Sequence, residues 1–286
     1  MPLDSAVVVL RAAIFLTLLQ AAGAALFLFL FGARLAVCGD AVRRLGAAAA
    51  ATGAVLVIVR YLIEPARMIG ALSGVLDGSM HGFLLTSNLG LAQLVRLAGA
   101  CLIGLALLRS SRLRYRFALA GALLVAASFS FMGHTAATDQ RWVPGALLVV
   151  HVLAAAFWFG SLIPLYIACG KERPGNSGLL IERFSSIALR IVPMIFLAGV
   201  GMAIFLLPNL GSLGSPYGLL LIAKLFGFAA LMGLACLNKF RFGPAVASGH
   251  APSLVPLRRC IAIEIWLIVI VLALTAAMTT LYSPET

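Results

Sequence analysis

Two histidines with the capacity to bind a metal, His134 and His151, lie close together in a strongly apolar part of the chain. His134 follows Met132 at the end of one apolar segment, and His151 lies inside the next. An imidazole is costly in a lipid-facing sequence unless it faces a partner, a cavity or a metal. Imidazole with a thioether is a ligand set that suits copper, as Cu(I) or as Cu(II). The three residues therefore predict a copper site, although His151 alone is also consistent with a hydrogen bond between helices.

A second pair of candidate ligands, Met80 and His81, lies in the segment 65–88. This segment is too long for a turn and too polar to span a membrane, so it predicts a short helix at the membrane interface. The pair would add a soft and a borderline ligand on the side of the membrane where His134 lies.

Trp158 lies seven residues beyond His151, about two helical turns farther along and on about the same face. Two roles are open for this side chain. It either forms the floor of a metal cavity or packs within a helix bundle.

The elements that must position these residues are membrane-spanning helices. The chain has 286 residues, of which 63% are hydrophobic and only 10% are charged. This composition predicts an all-α, polytopic membrane helix bundle that forms one transmembrane domain over residues 1–286. Eight apolar runs have the length of a bilayer crossing; they lie near 6–32, 42–63, 89–108, 113–132, 143–168, 187–208, 218–238 and 260–282.

The distribution of basic residues predicts the orientation of the chain. With eight spans, fifteen of the loop Lys and Arg residues fall on one side and only Arg67 and Arg141 fall on the other. Cytoplasmic loops carry an excess of basic residues, so both termini should face the periplasm. Because most of the basic residues lie in loops between the spans, membrane topology explains the net charge of +12, and a nucleic-acid partner is not expected.

Charged residues inside the spans need partners. Arg60 and Glu64 are four residues apart near the outer end of the second span, so they share a helix face and should pair. Glu264 lies about one turn into the last span, where Arg190 or Lys239 could neutralise it, which indicates a structural role.

An offset of 128 residues indicates an internal repeat. It aligns Phe31-Gly32 with Phe159-Gly160, Gly90-Leu91 with Gly218-Leu219, and Arg96-Leu97 with Lys224-Leu225. Since four spans separate the copies, the two halves, about 1–136 and 137–286, would form parallel four-helix units related by an axis along the membrane normal. In this alignment His151 corresponds to Gly23, which has no side chain that could bind a metal.

The five cysteines fall in the cytoplasmic half of the predicted spans or in cytoplasmic loops. This placement argues against structural disulfides, and no C-x-x-C spacing favours zinc or thioredoxin-like chemistry. An inward path for Cu(I) would have methionine and histidine on the periplasmic side of the membrane and cysteine on the cytoplasmic side. Cysteine and methionine also fill gaps between helices, which explains the cysteines equally well.

Several short motifs occur in an order and spacing that resembles the copper resistance protein D (CopD) family. The resemblance is strongest over 131–284, and Thr86 to Gly90 with Arg96 resembles the family's less marked N-terminal half. The motifs are Gly133-His134, the run from His151 through Trp158-Phe159-Gly160 to Pro164-Leu165, Arg183-Phe184-Ser185-Ser186, Tyr217-Gly218 with Lys224, Glu264 followed by 272–276, and Pro284.

The resemblance implies an inner-membrane protein of Gram-negative bacteria that moves copper from the periplasm to the cytoplasm. It also implies a periplasmic copper-binding partner of the CopC type. The family-like positions that it marks are His134, His151, Trp158, Lys224 and Glu264. Some members are fused to a periplasmic copper-binding domain, whereas these 286 residues contain none, so the copper donor is left open.

Three functions compete at this stage. The first is copper transport, which would serve copper homeostasis and resistance. The second is electron transfer by a b-type haem, because histidines in a helical bundle also serve as axial ligands. The third is a receptor that binds a periplasmic copper protein without transport. Catalytic and nucleotide-binding motifs are missing from the sequence, so an enzyme is not expected.

Overall fold

A computed structural model of the chain describes residues 2–109, 113–132, 142–206, 210–248 and 250–282. Every regular element in these ranges is helical, which confirms the all-α class. The α-helices are α1 (Pro2–Phe31), α2 (Gly39–Ile69), α3 (Gly78–Thr86), α4 (Asn88–Leu108), α5 (Arg114–Ala127), α6 (Trp142–Lys171), α7 (Pro174–Leu206), α8 (Pro216–Leu237), α9 (Gly243–Ala247) and α10 (Leu254–Leu281).

Seven of the described helices, α1, α2, α4, α6, α7, α8 and α10, are long and apolar enough to cross a membrane. The chain is therefore a multi-pass membrane protein. The fourth predicted span forms the shorter α5, whose 14 residues extend about 21 Å, against a hydrocarbon core of about 30 Å. This helix stops at Ser128, whose hydroxyl donates to the Val125 carbonyl at 2.6 Å and so competes with helical hydrogen bonding.

Helix α1 lies at the centre of the bundle and packs against α2, α5, α6 and α10. Leu18, Phe27 and Leu28 on this helix are buried. The run from Ala21 to Ala25 consists of alanine and glycine, and these small residues let neighbouring helices approach closely.

Helices α1 and α6 approach each other closely at Gly23 and Gly160. A Cβ atom on Gly23 would lie 2.1 Å from the Ala156 carbonyl oxygen and 2.4 Å from the Gly160 Cα. Three residues before Gly23, Gln20 donates from Nε2 to the Gly160 carbonyl at 2.9 Å. Glycine at both positions is thus required for this contact, which helps to join the helices before residue 137 to those after it.

The helices before and after residue 137 have similar neighbours. In the first half α1 packs against α2 and α5, and α4 packs against α5. In the second half α6 packs against α7 and α10, and α8 packs against α10. The halves also differ. Helix α4 packs against α1 and α2, whereas α8 does not pack as closely against α6 and α7. The repeat itself stays a prediction.

Helices α4 and α8 begin in the same way. The hydroxyl of Ser87 accepts from the Gly90 N–H at 3.3 Å, and the hydroxyl of Ser215, 128 residues later, accepts from the Gly218 N–H at 3.2 Å. In both helices the glycine packs against the preceding turn, where a Cβ atom would lie 2.2 Å and 2.5 Å from backbone oxygen atoms. This local geometry follows the register of the predicted repeat.

Candidate functional site

His151 lies on α6 and is held by the backbone of α7. Its Nδ1 lies 2.8 Å from the carbonyl oxygen of Ile195. Since a carbonyl oxygen only accepts, Nδ1 carries the proton and donates it, and Nε2 carries the lone pair. Histidines that bind metals commonly fix their tautomer through a hydrogen bond of this kind.

Gly199, one turn after Ile195, makes room for the imidazole. A Cβ atom at this position would lie 3.6 Å from Cε1 and 3.7 Å from Nδ1 of His151. The ring therefore lies directly against the α7 backbone. Lys224 lies on α8, four residues before Phe228.

Trp158 is buried and belongs to an aromatic cluster between α6, α7 and α8. Its ring meets Phe228 edge to face at a centroid distance of 6.0 Å. Phe228 stacks on Phe196 at 6.3 Å, and Phe196 follows Ile195 in the chain. Trp158 thus packs within the bundle, two turns from His151, and its role as a cavity floor stays a prediction.

His81 lies on the short helix α3 that the sequence predicts between the second and third spans. Its Nε2 donates to the Val75 carbonyl at 2.9 Å, which leaves the lone pair on Nδ1. That Nδ1 is buried and makes no hydrogen bond within the described part of the chain. Tyr61 on α2 donates to the His81 carbonyl at 3.0 Å, and Met80 is half-buried beside it.

Helix α3 begins with a charged cap. The carboxylate of Asp77 accepts from the hydroxyl and N–H of Ser79 and from the N–H of Met80. These hydrogen bonds, the one from the Ser79 hydroxyl foremost, lower the pKa of Asp77. The cap therefore stays ionised at neutral pH and fixes the start of the helix that carries Met80 and His81.

The predicted ligands do not form one cluster among the described residues. His81 and Met80 lie on α3, which packs against α2 and α4, whereas His151 lies on α6 among α1, α5, α7 and α10. Met132 is half-buried beyond the end of α5, and His134 lies outside the described residues. No group of three or more His, Cys, Asp or Glu side chains within the described ranges is arranged to hold a metal. The full copper-ligand set therefore stays a prediction.

The predicted pair of Arg60 and Glu64 is confirmed. Glu64 is only 1% exposed and accepts from Arg60. Its other oxygen accepts from Nη2 of Arg67 at 2.6 Å. Arg67, a partner that was not expected, lies three residues after Glu64 and therefore on the same helix face.

Arg96 is buried between α4 and α5. Its Nε donates to the Ser128 hydroxyl at 3.0 Å, and its Nη1 donates to Oε1 of Gln93 at 3.3 Å. The guanidinium also lies over the ring of Phe129, 4.3 Å from the centroid. Arg96 therefore faces protein rather than lipid, as an intramembrane cation must.

The partner expected for Glu264 is wrong. The carboxylate is 2% exposed and accepts from Nδ2 of Asn238 at 2.7 Å. The ion pairs among the described residues include neither Arg190 nor Lys239 with this group. Asn238 is the first residue of a π-helical turn over Asn238–Phe242 that follows α8.

A further link between the halves lies on the side of the basic loops. Glu172, just after α6, accepts from the N–H groups of Val37 and Cys38 at 2.8 and 2.9 Å. Burial alone would raise the pKa of Glu172, but these hydrogen bonds lower it. Burial and the neighbouring Glu172 raise the pKa of the Cys38 thiol to about 12. No sequence signal connects residues so far apart.

Two family models and a known protein match the sequence of this chain. A family model described as copper resistance protein D matches residues 178–278. A second, described as copper resistance protein D-like, N-terminal domain, matches residues 1–142. The chain is 30% identical over 267 residues to "Copper resistance protein D" of Pseudomonas syringae pv. tomato, which covers 85% of this chain and 84% of that protein. No solved structure matches the chain significantly. This multi-pass membrane chain therefore belongs to the copper resistance protein D family.

Proposed function

We propose that this chain transports copper across the bacterial inner membrane, from the periplasm to the cytoplasm, and so contributes to copper homeostasis and resistance. Membership of the copper resistance protein D family connects the chain with copper. The observation that carries the proposal is the half-buried imidazole of His151, whose Nδ1 is bound to the Ile195 carbonyl at 2.8 Å. This hydrogen bond presents Nε2 as a ligand inside the membrane, where a histidine without a role would be costly.

Copper is the cargo, and its ligands are drawn from the outer ends of the helices. His151 supplies an imidazole nitrogen, and the sequence places Met132 and His134 in the segment that leads to α6. The position of α5 against α6 supports this grouping. The thioether favours Cu(I), while imidazole also accepts Cu(II).

Met80 and His81 form a separate copper site on the outer side of the bundle. The buried lone pair on Nδ1 of His81 and the adjacent thioether support this role. A periplasmic copper-binding protein of the CopC type is the proposed donor. Both chain termini face the periplasm in this arrangement, which counts the short helix α5 as an eighth crossing beside the seven long helices. The basic loops then lie in the cytoplasm.

The test is copper binding by purified protein and copper accumulation by cells that carry His151→Gln or His134→Ala. Glutamine at residue 151 keeps a donor for the Ile195 carbonyl but lacks the imidazole ligand, so it separates copper binding from packing. His250→Ala is the matched control, because His250 is exposed on the side of the basic loops. All variants are first checked for normal membrane insertion.

We expect both site variants to lose copper binding and accumulation, while His250→Ala behaves like the parent. Copper binding and accumulation like the parent's in both site variants would contradict the proposal. A Soret band in purified protein that His151→Gln removes would instead identify a haem ligand. Binding without accumulation by the parent would indicate a receptor.

A further inference from the structure

A groove of about 550 Å³ lies where the end of α1 meets the first half of α7. Three arginines, Arg34, Arg183 and Arg190, line it together with Leu179 and Ile187. The remaining lining residues are Glu182 and Ser186. Charged and apolar side chains thus occur together in one cavity at an end of the helix bundle.

The lining residues of α7 belong to its outward face. The lining positions on this helix recur every three to four residues from 179 to 190, which is the spacing of a single helix face. The opposite face carries Leu180 and Phe184, which are buried. The ring of Phe184 stacks on Phe157 of α6 at 5.5 Å. Contacts with the core therefore keep the groove side of α7 exposed.

The groove has an excess of positive charge. It contains three guanidinium groups and a single carboxylate, that of Glu182. None of the ion pairs between described residues involves Arg34, Arg183 or Arg190. Their planar donor groups match a phosphate, which guanidinium binds through paired hydrogen bonds.

We propose that this groove binds the headgroup of an anionic phospholipid. The three arginines hold the phosphate, and the acyl chain lies along Ile187 and along Met194, which is 44% exposed; both lie farther into the bilayer than Arg183. The groove is on the side of the bundle that carries the basic loops, where the bilayer surface is anionic. A free phosphate has no acyl chain that could contact the apolar side chains of the groove. This inference does not depend on copper transport.

The experiment uses the full-length protein purified in a neutral detergent. Dioctanoyl-phosphatidylglycerol, dioctanoyl-phosphatidylcholine and inorganic phosphate are titrated separately, and binding is followed by native mass spectrometry and by the shift in Tm. The test variant is Arg183→Gln/Arg190→Gln. The control is Arg44→Gln/Arg116→Gln, which removes two exposed arginines outside the groove on the same side.

We expect saturable binding of phosphatidylglycerol to the parent and to the control. The test variant should bind it about 25-fold more weakly, or about fivefold for each arginine removed. Arg34→Gln, which changes a different element, should lose about fivefold and replaces the double variant if that protein does not fold. Equal weakening in the test and control variants, or equal binding of phosphatidylcholine, would overturn the proposal. Inorganic phosphate that binds as tightly as the lipid would also overturn it.

Discussion

The contact between α1 and α6 gives a sharp prediction, because Gly23→Ala adds a single methyl group where there is no space. The new Cβ would lie 2.1 Å from the Ala156 carbonyl oxygen and 2.4 Å from the Gly160 Cα. Both atoms belong to the backbone, so no side-chain rotation relieves the clash. The two helices must separate by roughly 1 Å to restore ordinary van der Waals contact.

The expected loss of stability follows from two opposing effects. Overpacking costs about 1–3 kcal/mol, and a clash with backbone atoms belongs at the upper end of this range. Alanine gains about 1 kcal/mol over glycine inside a helix. The net loss is therefore about 2 kcal/mol, which corresponds to a fall in Tm of about 4–8 °C for a protein of this size class.

The assay heats the detergent-purified protein and measures by size-exclusion chromatography how much monodisperse protein survives. Gly233→Ala on α8 is the matched control, because a Cβ atom there would meet nothing within 4 Å. We expect this control to have the Tm of the parent or a slightly higher one. A Gly23→Ala protein as stable as the Gly233→Ala protein would refute the close crossing of α1 and α6.

Three further changes test other contacts. Gly199→Leu should displace the imidazole of His151 and weaken copper binding at least tenfold in equilibrium dialysis, whereas Gly199→Ala should not, because its Cβ would lie 3.6 Å from the ring. Glu64→Gln leaves two guanidinium groups without their carboxylate and should cost about 3–5 kcal/mol, seen as loss of folded protein on size exclusion. Since hydrogen bonds lower the pKa of Glu172, its contribution is complete above the ordinary value of 4.5 and is lost as the pH falls through its folded pKa. Glu172→Gln should therefore lower the free energy of unfolding at pH 7 by about 1.5–3 kcal/mol, which is measured as a lower Tm. The decrease should be smaller at pH 4. An equal decrease at both pH values would show that the carboxylate charge plays no part.

Features encoded by local spacing could be predicted from the sequence. Seven of the apolar runs became helices of span length because a continuous apolar run must satisfy its backbone hydrogen bonds internally. The pair of Arg60 and Glu64 followed from a spacing of four residues. Met80 and His81 lie on a short helix between the second and third spans, as their polar surroundings indicated.

Features that depend on tertiary contacts could not be predicted in this way. Asn238, directly after α8, donates to Glu264 of α10 across 26 residues, and no residue spacing predicts this contact. Glu172 binds the N–H groups of Val37 and Cys38 from a loop more than 130 residues away. Backbone groups such as the Ile195 carbonyl, the partner of His151, are present at every residue and give no signal of their own.

Copper flux into sealed proteoliposomes tests the transport proposal most directly. Purified parent protein and His151→Gln are reconstituted in parallel, orientation is determined by protease access to the C-terminus, and copper inside the vesicles is measured after external copper is removed. We expect time-dependent accumulation by the parent above protein-free vesicles and accumulation at the protein-free level by His151→Gln. Parent vesicles that bind copper but accumulate none would contradict transport, and equal accumulation by the two proteins would contradict the role of His151.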